Sequence, residues 1–203
     1  PIRSEVRNVG ATTGGSLEHI CSTVISSGGY SETGVDFAVA NSSSRTTSTP
    51  GGTALPVIAI RLKNSFKGSP NRASAKINAV SISVQTESVL YKLVKLNSVS
   101  GLTFSGAAVW TSADSDSAVE YCVNATAYTG GSVLNAGFIP AGSSQNSLSP
   151  GTFGDISGSK KSIIMQNIDS TDSEIYVISA QTVSTQINAQ AGVAAAVQWR
   201  ETY

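Results

Sequence analysis

Apolar and polar residues alternate with a period of two along several parts of this chain. The pattern is clearest at residues 57–63, 80–84, 119–123 and 193–199. An apolar side chain at every second position is typical of a β-strand with one buried face. In the last of these segments the apolar set ends at Trp199, which we expect in the core. Residues 163–165 and 175–178 are apolar at each position, which predicts central strands covered on both faces.

Turn residues separate these segments. Glycine pairs, or short runs with proline, stand at 14–15, 28–29, 50–52, 130–131 and 150–151, and Ser-Pro-Asn stands at 69–71. Glycine permits positive φ and proline fixes φ, so these positions predict breaks between strands. Roughly eleven to thirteen short strands at this spacing predict an all-β fold, an antiparallel β-sandwich of the jelly-roll-like kind. We expect one domain over residues 1–203.

Three segments leave alternatives open. Residues 17–25 fit a helix by the spacing of their apolar residues and a strand by their β-branched content, and the strand is favoured. The long polar segments 40–52 and 140–161 are either binding loops or flexible linkers. The sequence begins with Pro1 rather than methionine, and we therefore expect an upstream module.

Composition narrows the classes of partner. Charged residues are 13% of the chain, against about 25% in an average soluble domain, and the net charge is zero. Neutrality argues against nucleic acid as the main partner, and no apolar run reaches the roughly 18 residues needed to span a membrane. Residues 57–95 carry a net charge of +6 and residues 96–159 a net charge of −4. This asymmetry either provides complementary patches between copies or cancels between neighbouring strands of one copy.

Candidate chemistry is sparse. His19 is the only histidine and no G-x-S-x-G motif occurs, so we expect no catalytic residues, no enzyme activity and no cofactor. Cys21 and Cys122 are too few for a disulfide scaffold, and we expect two unpaired thiols. These residues also lack the ligand spacing of a zinc site. The acidic turn that holds Asp169, Asp172 and Glu174 is a weak calcium candidate, and its alternative is an ordinary hydrogen-bonded turn.

Exposed aromatic residues are the candidates for binding without catalysis. Trp110 lies beside the polar residues Thr111 and Ser112 in a predicted loop, and it is our binding candidate. The other candidate residues for contact with sugars are the aromatic residues Tyr121, Tyr128, Trp199 and Tyr203. Aromatic residues in alternating strands usually belong to the core, which favours Trp110 over Trp199.

Three segments resemble a known group of proteins. Residues 1–8 (PIRSEVRN), 17–30 (LEHICSTVISSGGY) and 197–201 (VQWRE) are similar to virion structural proteins of tailed bacteriophages, especially phages of aquatic environments. The resemblance implies the C-terminal β-rich domain of a longer capsid decoration or fibre-type protein. Such a protein is located in the virion, is assembled in the host cytoplasm and contacts other virion proteins.

We therefore expect a non-enzymatic structural protein that forms a homo-oligomer, with a trimer favoured because particle proteins attach at symmetric points. A host surface glycan is a further candidate partner. The alternative is a carbohydrate-binding or adhesin module of a secreted or tail-associated protein. A depolymerising tail enzyme is a weaker third class, because it needs a cleft in which several acidic residues converge.

Overall fold

The computed structural model describes residues 34–141, 144–148, 163–164 and 172–203. This part of the chain contains β-strands and one short 3-10 turn, with no α-helix and thus no helix able to span a membrane. Residues 17–25, including His19 and Cys21, lie outside the described residues. The expectation of a single domain over residues 1–203 therefore stays a prediction.

The described strands, in chain order, are β1 (Val35–Ala40), β2 (Arg45–Thr46), β3 (Leu55–Leu62), β4 (Ser65–Phe66), β5 (Ser69–Pro70), β6 (Ser74–Gln85), β7 (Val89–Leu96), β8 (Leu102–Phe104), β9 (Thr111–Ser112), β10 (Val119–Cys122), β11 (Ala125–Tyr128), β12 (Ser132–Ile139), β13 (Ser144–Leu148), β14 (Ile163–Ile164), β15 (Ile175–Thr182) and β16 (Gly192–Thr202). The 3-10 turn is Val99–Gly101.

Two antiparallel sheets form a sandwich. The first has the order β1-β16-β6-β13, with β2 and β14 attached to β16 and β6, and the second has the order β12-β7-β15-β3-β10-β9. We call the following eight the principal strands: β1, β3, β6, β7, β12, β13, β15 and β16. In this order the first pairs with the last, the second with the seventh, the third with the sixth and the fourth with the fifth. This rolled arrangement is the jelly roll that the sequence predicts.

The predicted alternation is confirmed in the first sheet. In β16, Val193, Ala195, Val197 and Trp199 are buried, while the residues between them are at least partly accessible. In β6 the buried positions 80, 82 and 84 alternate in the same way. Trp199 is fully buried, as expected, and its ring stacks with that of Phe37 at a centroid distance of 6.3 Å. These inward faces form the main core of the sandwich.

The second sheet is covered on both faces over part of its area. Residues 175–178 of β15 are buried, as the sequence predicts for a central strand. The small two-stranded sheet of β8 and β11 covers the outer face, and a second small core forms beneath it around Ala59, Val94, Leu102 and Val177. Because of this cover, residues 57–60 of β3 are buried in succession rather than alternately.

Two sequence predictions are wrong in detail. The alternation places Val123 on the buried face of its strand, but β10 ends at Cys122 and Val123 is exposed, whereas Cys122 is buried in the second core. Residues 69–71 are predicted as a break, but Ser69–Pro70 forms β5 and pairs with β4. The polar segments 40–52 and 140–161 also include the short strands β2 and β13.

Candidate functional site

Trp110 lies directly before β9 and is half-buried rather than exposed. It packs against the second core, and the guanidinium of Arg61 lies 4.1 Å from its ring centroid. Arg61 is held there by a 2.7 Å hydrogen bond from Nε to Oε1 of Glu120. One face of the indole is therefore occupied by a cation of this same chain. Binding through Trp110 stays a prediction.

The calcium candidates are only partly described. Asp169 lies outside the described residues. Asp172 accepts a 3.0 Å hydrogen bond from the backbone N–H of Ser173, and Glu174 forms a 2.5 Å ion pair with Lys95. Over the described ranges, no three His, Cys, Asp or Glu side chains converge in a way that could hold a metal ion. A calcium site at this turn stays a prediction.

The two oppositely charged segments meet within one chain. β3 and β10 are neighbours in the second sheet, which brings Arg61 to Glu120. At the next turn, Lys67 Nζ lies 3.8 Å from Oδ1 of Asp116. These pairs cancel part of the charge asymmetry inside the molecule, so it no longer argues for contact between copies. Cys122 is a free buried thiol, and its burial raises its pKa.

A buried carboxylate lies at the end of β16. Glu201 has no exposed surface, and each of its two carboxylate oxygens accepts hydrogen bonds from two donors. Its Oε1 accepts from Ser117 Oγ at 2.5 Å and from Trp199 Nε1 at 2.7 Å, while its Oε2 accepts from the Ala118 N–H and the Tyr203 hydroxyl, each at 2.7 Å. A buried carboxylate is tolerated only with such partners. Glu201 therefore joins β16 to the chain just before β10.

The hydroxyl of Tyr203 is fixed by this carboxylate. Its oxygen lies 2.7 Å from Oε2 of Glu201 and 2.8 Å from the backbone carbonyl oxygen of Asp116, and its single proton can be donated to either acceptor. Burial of the hydroxyl end, followed by the bond to Glu201, raises the pKa of Tyr203, so the hydroxyl stays protonated and donates. The residue as a whole is nevertheless 60% exposed. The phenol is thus anchored at one end and open to solvent along its ring.

Phe66 and Lys67 complete this surface. The ring of Phe66 stacks on that of Tyr203 with centroids 5.3 Å apart and planes inclined by 11°. The Lys67 ammonium lies 5.2 Å from the centroid of Phe66 and 6.0 Å from that of Tyr203. We call Phe66, Lys67, Asp116 and Tyr203 the Tyr203 platform. Exposed aromatic surface and exposed charged side chains lie together here, and the buried Glu201 anchors the Tyr203 ring.

A tight hairpin positions the platform. Lys67 and Gly68 join β4 to β5 with φ values of 50° and 78°, which is the two-residue turn with left-handed backbone at both positions. Glycine adopts this region freely, but a lysine in it is uncommon and strained. The hairpin could not be predicted from the sequence, because its turn is Lys-Gly rather than the usual Asn-Gly. Glu201 carries a signal that was available, since the alternation that reaches Trp199 continues to position 201.

A second exposed surface lies on β12, the edge strand of the second sheet. In the described part of the chain, β12 pairs only with β7. Phe138 is 71% exposed and Val133 is 56% exposed, and none of the eight residues of β12 is charged. Edge strands of soluble proteins commonly carry charges that block further association. We call this surface the β12 edge.

No family model matches this chain, and neither the curated proteins nor the solved structures include a match.

Proposed function

We propose that this chain is a non-enzymatic structural protein of a phage virion, in which it forms a homo-oligomer and contacts neighbouring capsid or fibre proteins. The observation that carries the proposal is the jelly-roll pairing of the eight principal strands. Viral capsid proteins use this double sheet, although lectins do too, so the support is an analogy between folds. The resemblance of residues 1–8, 17–30 and 197–201 to phage virion proteins favours the virion.

Self-association is assigned to the β12 edge, with a second copy of the chain as its partner. Large apolar side chains at more than half exposure mark contact surfaces when they are grouped, and Phe138 and Val133 share this one strand. An uncharged strand fits a partner that brings few ions to be desolvated, and only 13% of this chain is charged. If the β12 edge of each copy contacts a different surface of the next copy, this head-to-tail contact closes after three copies and gives the proposed trimer.

Light scattering of the full chain at several micromolar concentrations tests the assembly. We expect a mass three times the 20.8 kDa of one chain, and the variant Phe138→Glu should reduce it to a monomer. Ile187→Glu is the matched control, because Ile187 is even more exposed but lies outside the strands. A monomeric parent chain contradicts self-association, and an oligomeric Phe138→Glu variant contradicts the assigned surface.

Immunogold electron microscopy tests the location. Antibodies against the chain should label intact phage particles at regular positions. Label that is confined to the medium or the bacterial surface contradicts the virion assignment and favours a secreted module.

A further inference from the structure

We propose that the Tyr203 platform is a binding site for a neutral pyranose sugar, with the Tyr203 ring as the surface on which the sugar stacks. This role goes beyond the structural function and uses different residues from the β12 edge. The observations behind it are an exposed anchored ring, polar groups of both signs at its rim, and a strained turn that holds one of them.

The ring is held by two contacts before any ligand arrives. Its hydroxyl is held by Glu201, which is itself completely buried, and one ring face lies against Phe66. Tyr203 is still 60% exposed, and the ring face opposite Phe66 is the one available for stacking. A fixed amphipathic ring offers contact area at a small cost in conformational entropy. The C–H face of a pyranose is the flat, weakly polar surface that matches it.

Polar groups for the sugar hydroxyls stand at the rim. The side chains of Lys67 and Asp116 are both mainly exposed, and their Nζ and Oδ1 atoms are 3.8 Å apart. That separation exceeds a normal hydrogen bond, so each group retains capacity for another partner. An ammonium donates and a carboxylate accepts, and a hydroxyl can satisfy either of them. Adjacent hydroxyls of one sugar can therefore bridge the pair.

The balance of charge favours a neutral ligand. Lys63 and Lys67 lie beside the Phe66 ring, and the negative charges of Asp114 and Asp116 contribute to the raised pKa of Tyr203. An acidic sugar meets two carboxylates at this site, and a cationic ligand meets two ammonium groups. A neutral saccharide encounters neither repulsion.

The strained turn supplies a second, independent indication. Lys67 occupies the left-handed region at φ 50°, where asparagine or glycine is the usual residue. Strained backbone of this kind persists where the surroundings hold it, and it is often found at ligand sites. At this position, the strain places an ammonium group beside the two stacked rings.

Saturation-transfer NMR on the full chain tests the site. The probes are the methyl glycosides of glucose, galactose, mannose and N-acetylglucosamine, with glucuronate and sialic acid as charged probes. We expect transfer to the C–H protons of at least one neutral glycoside and none to the charged probes. Tyr203→Ala should weaken binding roughly tenfold, as for the loss of one aromatic contact.

Matched variants separate binding from folding. Tyr203→Phe keeps the stacking ring and should retain most of the affinity, and Ile187→Ala removes an exposed apolar side chain outside the strands and should leave sugar binding unchanged. If Tyr203→Ala fails to fold, Lys67→Ala and Asp116→Ala carry the test, because they preserve the hydrogen bonds of Glu201. Absence of transfer from all four neutral glycosides rejects the site, as does undiminished transfer in folded Asp116→Ala and Lys67→Ala. Neither result affects the oligomer measured by light scattering.

Discussion

Trp199 serves both the core and the polar network of this protein. Its ring fills the space between the sheets against Phe37, and its indole N–H donates to Glu201. A buried indole usually needs such an acceptor, since an unpaired buried N–H costs free energy. The same side chain therefore contributes apolar packing and one of the four hydrogen bonds that keep Glu201 in the interior.

We expect Trp199→Ala to lower the free energy of unfolding by about 3–5 kcal/mol, because it leaves a cavity in the main core. Urea unfolding followed by circular dichroism measures the change. Gln198→Ala, one position away on the exposed side of β16, is the control and should shift stability by no more than about 0.5 kcal/mol. An unchanged midpoint for Trp199→Ala contradicts the buried position of the indole.

At the scale of elements, the β4–β5 hairpin has an unfavourable residue in its turn, Lys67, whose side chain lies beside two aromatic rings. Lysine at φ 50° is less stable than asparagine, which tolerates the left-handed region. The hairpin nevertheless brings Phe66 onto Tyr203 and Lys67 beside both rings. The strained turn lowers stability while it positions an ammonium group beside the rings, and this combination is expected of the ligand site that we propose.

Lys67→Asn should therefore raise the free energy of unfolding by up to about 1 kcal/mol while it weakens sugar binding. Thermal denaturation measures the first effect and NMR titration with the neutral glycosides measures the second. Lys76→Asn is a control for the loss of one positive charge, because Lys76 lies within β6 at an extended backbone position. A destabilised Lys67→Asn variant contradicts the strain assigned to the turn.

Sequence patterns predicted the strands whose burial depends on their own residues. The alternation of β6 and β16 and the continuous apolar run of β15 follow from period-two geometry. The burial of Ala59 could not be predicted, because it depends on the two-stranded sheet of β8 and β11, which is distant from β3 in sequence. The Tyr203 platform was missed for a similar reason, since β4, β16 and the turn at Asp116 meet only in the folded chain.

In the whole molecule, Glu201 links the two sheets. It belongs to β16 of the first sheet, and two of its donors, Ser117 and Ala118, immediately precede β10 of the second. A second link is the hydroxyl contact of Thr47, which follows β2, with Thr182 at the end of β15. These buried polar contacts fix how the sheets lie on each other, which apolar packing alone specifies less strictly.

We expect Glu201→Gln to lower the free energy of unfolding by about 1–3 kcal/mol. The amide NH₂ of glutamine is itself a donor, and it would face donors whose hydrogen bonds the carboxylate of Glu201 accepts. Calorimetry measures the loss and shows whether the sheets still unfold in one transition. Glu174→Gln is the control. It removes only a partly exposed ion pair with Lys95 and should cost less than about 1 kcal/mol. Equal losses in both variants contradict a special role for Glu201.

Because the first described strand pairs with the last, we expect this protein to fold slowly. Asp36 and Arg200, which bond across β1 and β16, are 164 positions apart in the chain. Loop-closure entropy must be overcome before such contacts stabilise anything, and folds that depend on them take milliseconds to seconds to form. During synthesis β1 leaves the ribosome long before β16 exists. Until then its backbone can pair with the β16 of a neighbouring nascent chain, so strand exchange between copies is the hazard that this topology creates.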